Sequence, residues 1–237
     1  MALAGLAIAN RPDPQQPVVL PIALVALVIF QGLLGMWTVT LLLKPLIVVL
    51  HLLGGLATLS LLAWLAFTPA PSGMETRNVP FLKRITVAAL AVLAMQIALG
   101  GWTSSNYAAL ACPDFPTCQN SLWPQMDVKD AFILWRGLGI DYEGGVLDHP
   151  ARVAIHFMHR LGAVLAALML GFASVAAIRL GPTRGVRIAG AVVGAVLVCQ
   201  LILGPVMVMR ALPLTLATAH NGVAALLLLA VVALYKI

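Results

Sequence analysis

The chain has 237 residues, of which 62% are hydrophobic and 9% charged, and its mean hydropathy is +1.02. A water-soluble core of this length needs no such excess of apolar residues, so the composition excludes an ordinary soluble domain and indicates an integral membrane protein. The formal charge of +6 falls largely in short connections between apolar runs, where it reports topology and gives no reason to expect nucleic-acid binding.

Residues 1–16 hold a short apolar patch broken by Asn10, Arg11, Pro12, Asp13 and Pro14, too short to span and without a cleavable signal; they are read as a cytoplasmic tail. Crossing the hydrocarbon takes about 20 apolar residues in a helix. Six runs meet this: 18–42, 46–68, 82–106, 151–178, 186–209 and 214–235. The short segments of alternating polarity that a closed barrel requires are absent. The predicted fold is all-α, a polytopic transmembrane bundle of six helices.

The first and last pairs of runs repeat one another. His51 follows Gln31 by twenty residues and Gly35 by sixteen, and His220 stands in the same relation to Gln200 and Gly204. Arg77, Lys83 and Arg84 separate the second and third runs, and Arg179, Arg184 and Arg187 the fourth and fifth, which assigns both connections to the cytoplasm. The long connection 107–150 carries Asp114, Asp127, Asp130, Asp141, Glu143 and Asp148 against Lys129 and Arg136, and is assigned to the outer side of the inner membrane. Both termini are then cytoplasmic, in keeping with Arg11 and Lys236.

Within that outer loop, Cys112 and Cys118 lie where thiols oxidise, so a disulfide is expected; two free thiols, or a zinc site completed by His149, are the alternatives. Cys199, inside the fifth run, is expected to pack. Residues 126–138 suggest a short amphipathic helix whose Phe132, Leu134 and Trp135 touch the bilayer surface, either covering a site or acting as a spacer.

The fourth run contains His156, His159 and Arg160, and a spacing of three sets the two imidazoles on one helix face. His159 lies eight residues in from Ala151 and His220 six in from Leu214, both about 10 Å below the outer surface at the helical rise. An ionisable group in lipid is costly and signals function. One such histidine reads as an interhelical hydrogen bond; two at equal depth read as axial ligands of a haem iron, held between two helices. Gly35, Gly100, Gly101, Gly162 and Gly204 would admit a flat macrocycle, or serve helix packing. Arg160 needs an anion, which haem propionates or Asp148 would supply. A transporter using the histidines as proton relays is the alternative from another class.

The stretches Gln96-Ile-Ala-Leu-Gly-Gly-Trp-Thr-Ser-Ser-Asn-Tyr-Ala-Ala-Leu-Ala-Cys112-Pro-Asp-Phe-Pro-Thr-Cys118, His156-Phe-Met-His159-Arg160 and Ala217-Thr-Ala-His220-Asn221 resemble the haem A synthase family, and the likeness runs from about residue 18 to the end. The resemblance implies two four-helix halves related by pseudo-symmetry. It also implies oxidation of a ring methyl of haem O to a formyl group, which yields haem A for cytochrome oxidase assembly. On that plan residues 85–237 correspond to a complete second half, joined through a cytoplasmic loop 70–84 to residues 17–69, the last two helices of a first half. His159 and His220 would ligate the iron of haem b, with Arg160 beside it, and Cys112 and Cys118 would be disulfide-bonded. His51 would ligate the substrate haem; its partner histidine and a neighbouring glutamate have no counterpart, His156 standing at the glutamate's repeat-equivalent place. A late start codon, a split protein and a degenerate paralogue are the competing explanations. The implied partners are haem O, a haem O synthase, an electron donor and membrane lipid, with homo-oligomerisation left open. A bis-histidine haem b electron-transfer protein is the competing function.

Overall fold

The computed structural model describes residues 2–10, 17–67 and 80–236. Among the described residues eight helices form: α1 (Ala2–Ala9), α2 (Val19–Thr40), α3 (Pro45–Ala66), α4 (Pro80–Ser105), α5 (Val128–Ala131), α6 (His149–Leu180), α7 (Arg184–Met209) and α8 (Leu214–Lys236). All but α1 and α5 are long and apolar enough to cross a membrane, and their ends lie within two residues of the predicted ones. The chain is an integral membrane protein. The residues of the tail that are described form α1, which packs on α2; Arg11 and Arg77 lie outside the described residues.

Proline starts three of the spans, at Pro45, Pro80 and Pro150, where its missing N–H is no loss and its fixed φ suits the first turn. The helix ends show the repeat directly. After α2, Leu42 and Leu43 adopt φ of 52° and 57°, and after α7 Ala211 and Leu212 adopt 56° and 59°. The Leu43 amide bonds the Thr38 carbonyl at 2.9 Å and the Leu212 amide bonds that of Met207 at 2.9 Å, the bond of a Schellman cap. The end of α4 does the same: Ala108 bonds Thr103 at 2.9 Å and Tyr107 has φ 53°. Three helix pairs therefore share one design, α2 with α3, α4 with α6, and α7 with α8, the middle pair being parted by the long loop.

Four helices make the main bundle. α4 and α7 each pack on both α6 and α8, while α6 and α8 stand on a diagonal without backbone contact; α3 lies against α4 and α8, and α2 against α3. At the end away from the long loop the bundle is filled by Leu93, Leu170, Val193, Leu227 and Val231 among small residues such as Ala89 and Ala173. There α6 and α7 meet closely: Ser174 Oγ donates to the Gly190 carbonyl at 2.7 Å, and a Cβ on Gly190 would stand 2.7 Å from Ala177 Cβ, so only glycine allows the approach.

The long loop closes the other end. Trp102 Nε1 donates to the Ala131 carbonyl at 3.0 Å, and Ala131 and Leu147 pack on Ala151 and Ile155. The amphipathic helix expected over 126–138 is reduced to the single turn α5, because the chain then turns through Gly137 and Gly139, at φ 93° and 77°. Trp135 is drawn instead to Lys44, whose ammonium lies 3.9 Å from its ring centre and 5.5 Å from that of Tyr142 and donates to the Gly137 carbonyl. Phe132 packs against the core beneath the loop. Cys199 does not pack either: it is a free thiol on the exposed side of α7.

Candidate functional site

Three histidines are seated alike, each by the preceding helix of its pair. A Cβ on Gly35 would lie 3.2 Å from His51 Cε1, one on Gly100 3.2 Å from His159 Cε1, and one on Gly204 3.4 Å from His220 Cε1. Each imidazole thus brings its Cε1 edge up to a helix backbone at a glycine. One turn before that glycine stands a glutamine. Gln96 Nε2 lies 3.1 Å from His159 Nδ1 and 3.0 Å from its carbonyl oxygen, and Gln200 Nε2 lies 3.2 Å from His220 Nε2. The sequence showed Gln31 and Gln200 as markers of the repeat; the contact of Gln96 and Gln200 with the imidazoles was not read from it. The like spacing of Gln96, Gly100, Trp102 and Thr103 to Gln31, Gly35, Trp37 and Thr38 is the signal that places α4 in the same series.

His159 stands on α6 and His220 on α8, the two helices of the bundle diagonal. Both are half-buried. Gln96 engages His159 at Nδ1, leaving Nε2 without a protein partner, and in His220 the buried Nδ1 is the unpartnered nitrogen. Two imidazoles seated at glycines on the two helices of a bundle diagonal are the residues that would hold the iron of a flat macrocycle; His159 offers Nε2 directly, whereas His220 Nε2 stands against Gln200 and its Nδ1 is buried. No group of three or more metal-binding side chains occurs among the described residues, which leaves these two as a pair.

His51 is exposed on α3, and no second histidine faces it among the described residues. Gln31, its glutamine by repeat, has both amide atoms buried and unpartnered. That site is one-sided.

His156 and Arg160 turn from the diagonal toward the loop. Cys112 and Cys118 are disulfide-bonded, which removes the zinc and free-thiol alternatives. Arg160 donates through Nη1 to the Thr117 carbonyl and through Nη2 to that of Cys112, both at 2.7 Å, and through Nε to His156 Nε2 at 3.2 Å; the Cys112 amide donates to His156 Nδ1 at 3.3 Å. Backbone carbonyls of the disulfide loop accept from Arg160, and Asp148 does not reach it. Two clefts open on the loop face around Trp123, Pro124, Gln125 and Pro150, and neither is lined by His159 or His220.

The model of the COX15-CtaA family, described as cytochrome oxidase assembly protein, matches residues 1–232. The chain belongs to this family. It is 42% identical over 221 residues to heme A synthase of Shewanella oneidensis, a match covering 92% of this chain and 66% of that protein. To heme A synthase of Methylobacterium radiotolerans it is 31% identical over 189 residues, covering 76% of this chain and 46% of that protein. The chain thus spans just under two thirds of the first relative's length and about half of the second's.

Proposed function

We propose that this chain acts in haem A biosynthesis as a haem A synthase-type oxidoreductase, with haem b as cofactor and haem O as substrate. The observation that carries the reading is the diagonal pair His159 and His220, each seated on a glycine and held by a glutamine, in a chain of this family. Bound there, haem b would supply one-electron redox chemistry at its iron. The residues of the chain do the rest. His159 and His220 would hold the haem from opposite corners of the bundle; Gln96 and Gln200 restrain each ring; Gly100 and Gly204 let the Cε1 edge of each ring approach the helix backbone. His156 and Arg160 fasten the disulfide loop over the loop-side end, which limits water at the pair. His51, seated in the same way on α3, is the residue assigned to the substrate haem. The same reading sets the 107–150 loop on the outer side of the inner membrane and Lys83, Arg84, Arg179, Arg184, Arg187 and Lys236 in the cytoplasm.

The test is to supply membranes containing the full chain with haem O and to extract the haems for chromatography. Conversion to haem A supports the proposal. A bound, reducible haem b with haem O unchanged, even when an intact homologous first half is co-expressed, overturns the enzymatic reading and favours a bis-histidine electron-transfer protein. The one-sided setting of His51 favours that second reading, because only the His159–His220 pair is complete here.

A further inference from the structure

Arg152 stands in the first turn of α6, seven residues before His159. Seven residues of helix bring two side chains to within about 20° of each other around the axis and set them about 10 Å apart along it. Arg152 therefore heads the stripe that carries His159, at the loop-side end. Arg160, one residue past His159, is turned about 100° away and spends all three guanidinium nitrogens on the protein.

Arg152 is differently placed. Its Nε is buried and has no hydrogen-bond partner. Among the described residues the one ion pair joins Arg136 to Asp130, so no carboxylate neutralises Arg152. Asp148, one turn before it, is exposed and offers only its backbone carbonyl, to the Arg152 amide at 3.1 Å. Its chain neighbours Ala151, Ala154 and Ile155 pack beneath Trp102 and Leu147. A buried guanidinium N–H left unpaired beside apolar side chains is unfavourable until an acceptor reaches it, and a carboxylate is the acceptor that matches its planar fork.

We propose that Arg152 is the anion-binding residue of the diagonal site: it takes a carboxylate carried by the flat ligand held at His159 and His220, the propionate edge of a haem. The inference rests on reading those histidines as haem ligands, and it orients the macrocycle. Both propionates leave a porphyrin on one edge, so pairing with Arg152 turns that edge toward the loop-side surface, where carboxylates retain access to water, and turns the opposite edge into the Leu93–Leu170–Leu227 core.

The experiment titrates the full chain, prepared in detergent without haem, with haem b and separately with its dimethyl ester, following the Soret band. The ester keeps iron and ring and loses both negative charges. The wild type is expected to bind the diacid roughly ten-fold more tightly than the diester, the scale of a charge-assisted pair. Arg152→Gln is expected to bind both alike, at the affinity of the diester, and Arg184→Gln, at an exposed arginine opening α7 at the far end of the bundle, to keep the wild-type preference. A full preference in Arg152→Gln overturns the assignment while leaving the haem site standing, as does a wild type indifferent to esterification. A wild type that binds neither form overturns the haem reading itself, and this inference with it. Should Arg152→Gln fail to fold, Arg152→Lys serves: a weakened preference supports the pairing, and an unchanged one overturns it.

Discussion

The side-chain nitrogen of Gln96 reaches both the ring Nδ1 of His159, at 3.1 Å, and the backbone oxygen of the same residue, at 3.0 Å. One amide thus holds the ring and the helix that bears it, so the imidazole cannot turn without breaking a bond to a rigid neighbour. Across the diagonal Gln200 contacts the ring of His220 alone, at Nε2.

If these two histidines are the axial pair, replacing either removes it. His159→Ala and His220→Ala should each abolish a low-spin haem spectrum in the purified protein, while His51→Ala leaves it largely intact. Equal loss in all three variants contradicts the assignment of one complete site.

The glycine seats set the distance at which each ring can lie. A Cβ at Gly100 would stand 3.2 Å from the imidazole of His159, and one at Gly204 3.4 Å from that of His220, the first requiring the ring to yield and the second barely touching. Gly100→Ala is expected to cost about 1 kcal/mol, near the lower end for overpacking, and Gly204→Ala less. Thermal unfolding and haem retention measured side by side should rank the variants in that order; the reverse ranking rejects the seat.

The disulfide loop is fastened to α6 mainly by Arg160, whose bonds to the carbonyls of Thr117 and Cys112 are of the charge-assisted kind, each about 1.5–3 kcal/mol. Arg160→Met should therefore raise amide exchange or protease cleavage across residues 112–120 by ten-fold or more. Cys112→Ser, or a reductant on the wild type, should loosen the same segment. Unchanged protection in Arg160→Met shows that the loop holds by packing alone.

Acid should open that loop late. A hydrogen bond from the Thr117 side chain, aided by the Asn120 and Gln119 amides against some desolvation, holds the Asp114 carboxyl below its ordinary value of 3.8. For a lowered value, the stabilisation is complete above the unfolded pKa and fades as the pH falls through the folded one. Loop order, followed by exchange or by Trp123 fluorescence, is thus expected to hold from neutral pH down to that ordinary value and to decline below it. Asp114→Asn should remove this acid-dependent step, and a transition near pH 6 assigns the opening to another group.

Much of this was legible in the residues. Hydropathy located all six spans, since a bilayer imposes one length on every helix. What escaped depends on the backbone. Arg160 is met by carbonyls of the disulfide loop, and every residue type carries a carbonyl, so composition alone could not show these partners. The third copy of the helix pair was hidden because the long loop parts Gln96 from His159, although Trp102 and Thr103 repeat Trp37 and Thr38. Cys199 was expected inside because apolar surroundings in a soluble protein mean burial; in lipid they also mean the outside. The expected amphipathic helix failed for a local reason, the glycines at 137 and 139 and the capture of Trp135 by Lys44.

Lys44 also dictates an order of assembly. The hairpin of α2 and α3 is synthesised first, with an ammonium at its tip that ends only 2% exposed, yet every group that encloses it, Trp135, Gly137 and Tyr142, emerges some ninety residues later. Until then the tip must stay wet at the interface, and the early hairpin can settle to its final depth only once the later loop has folded around it.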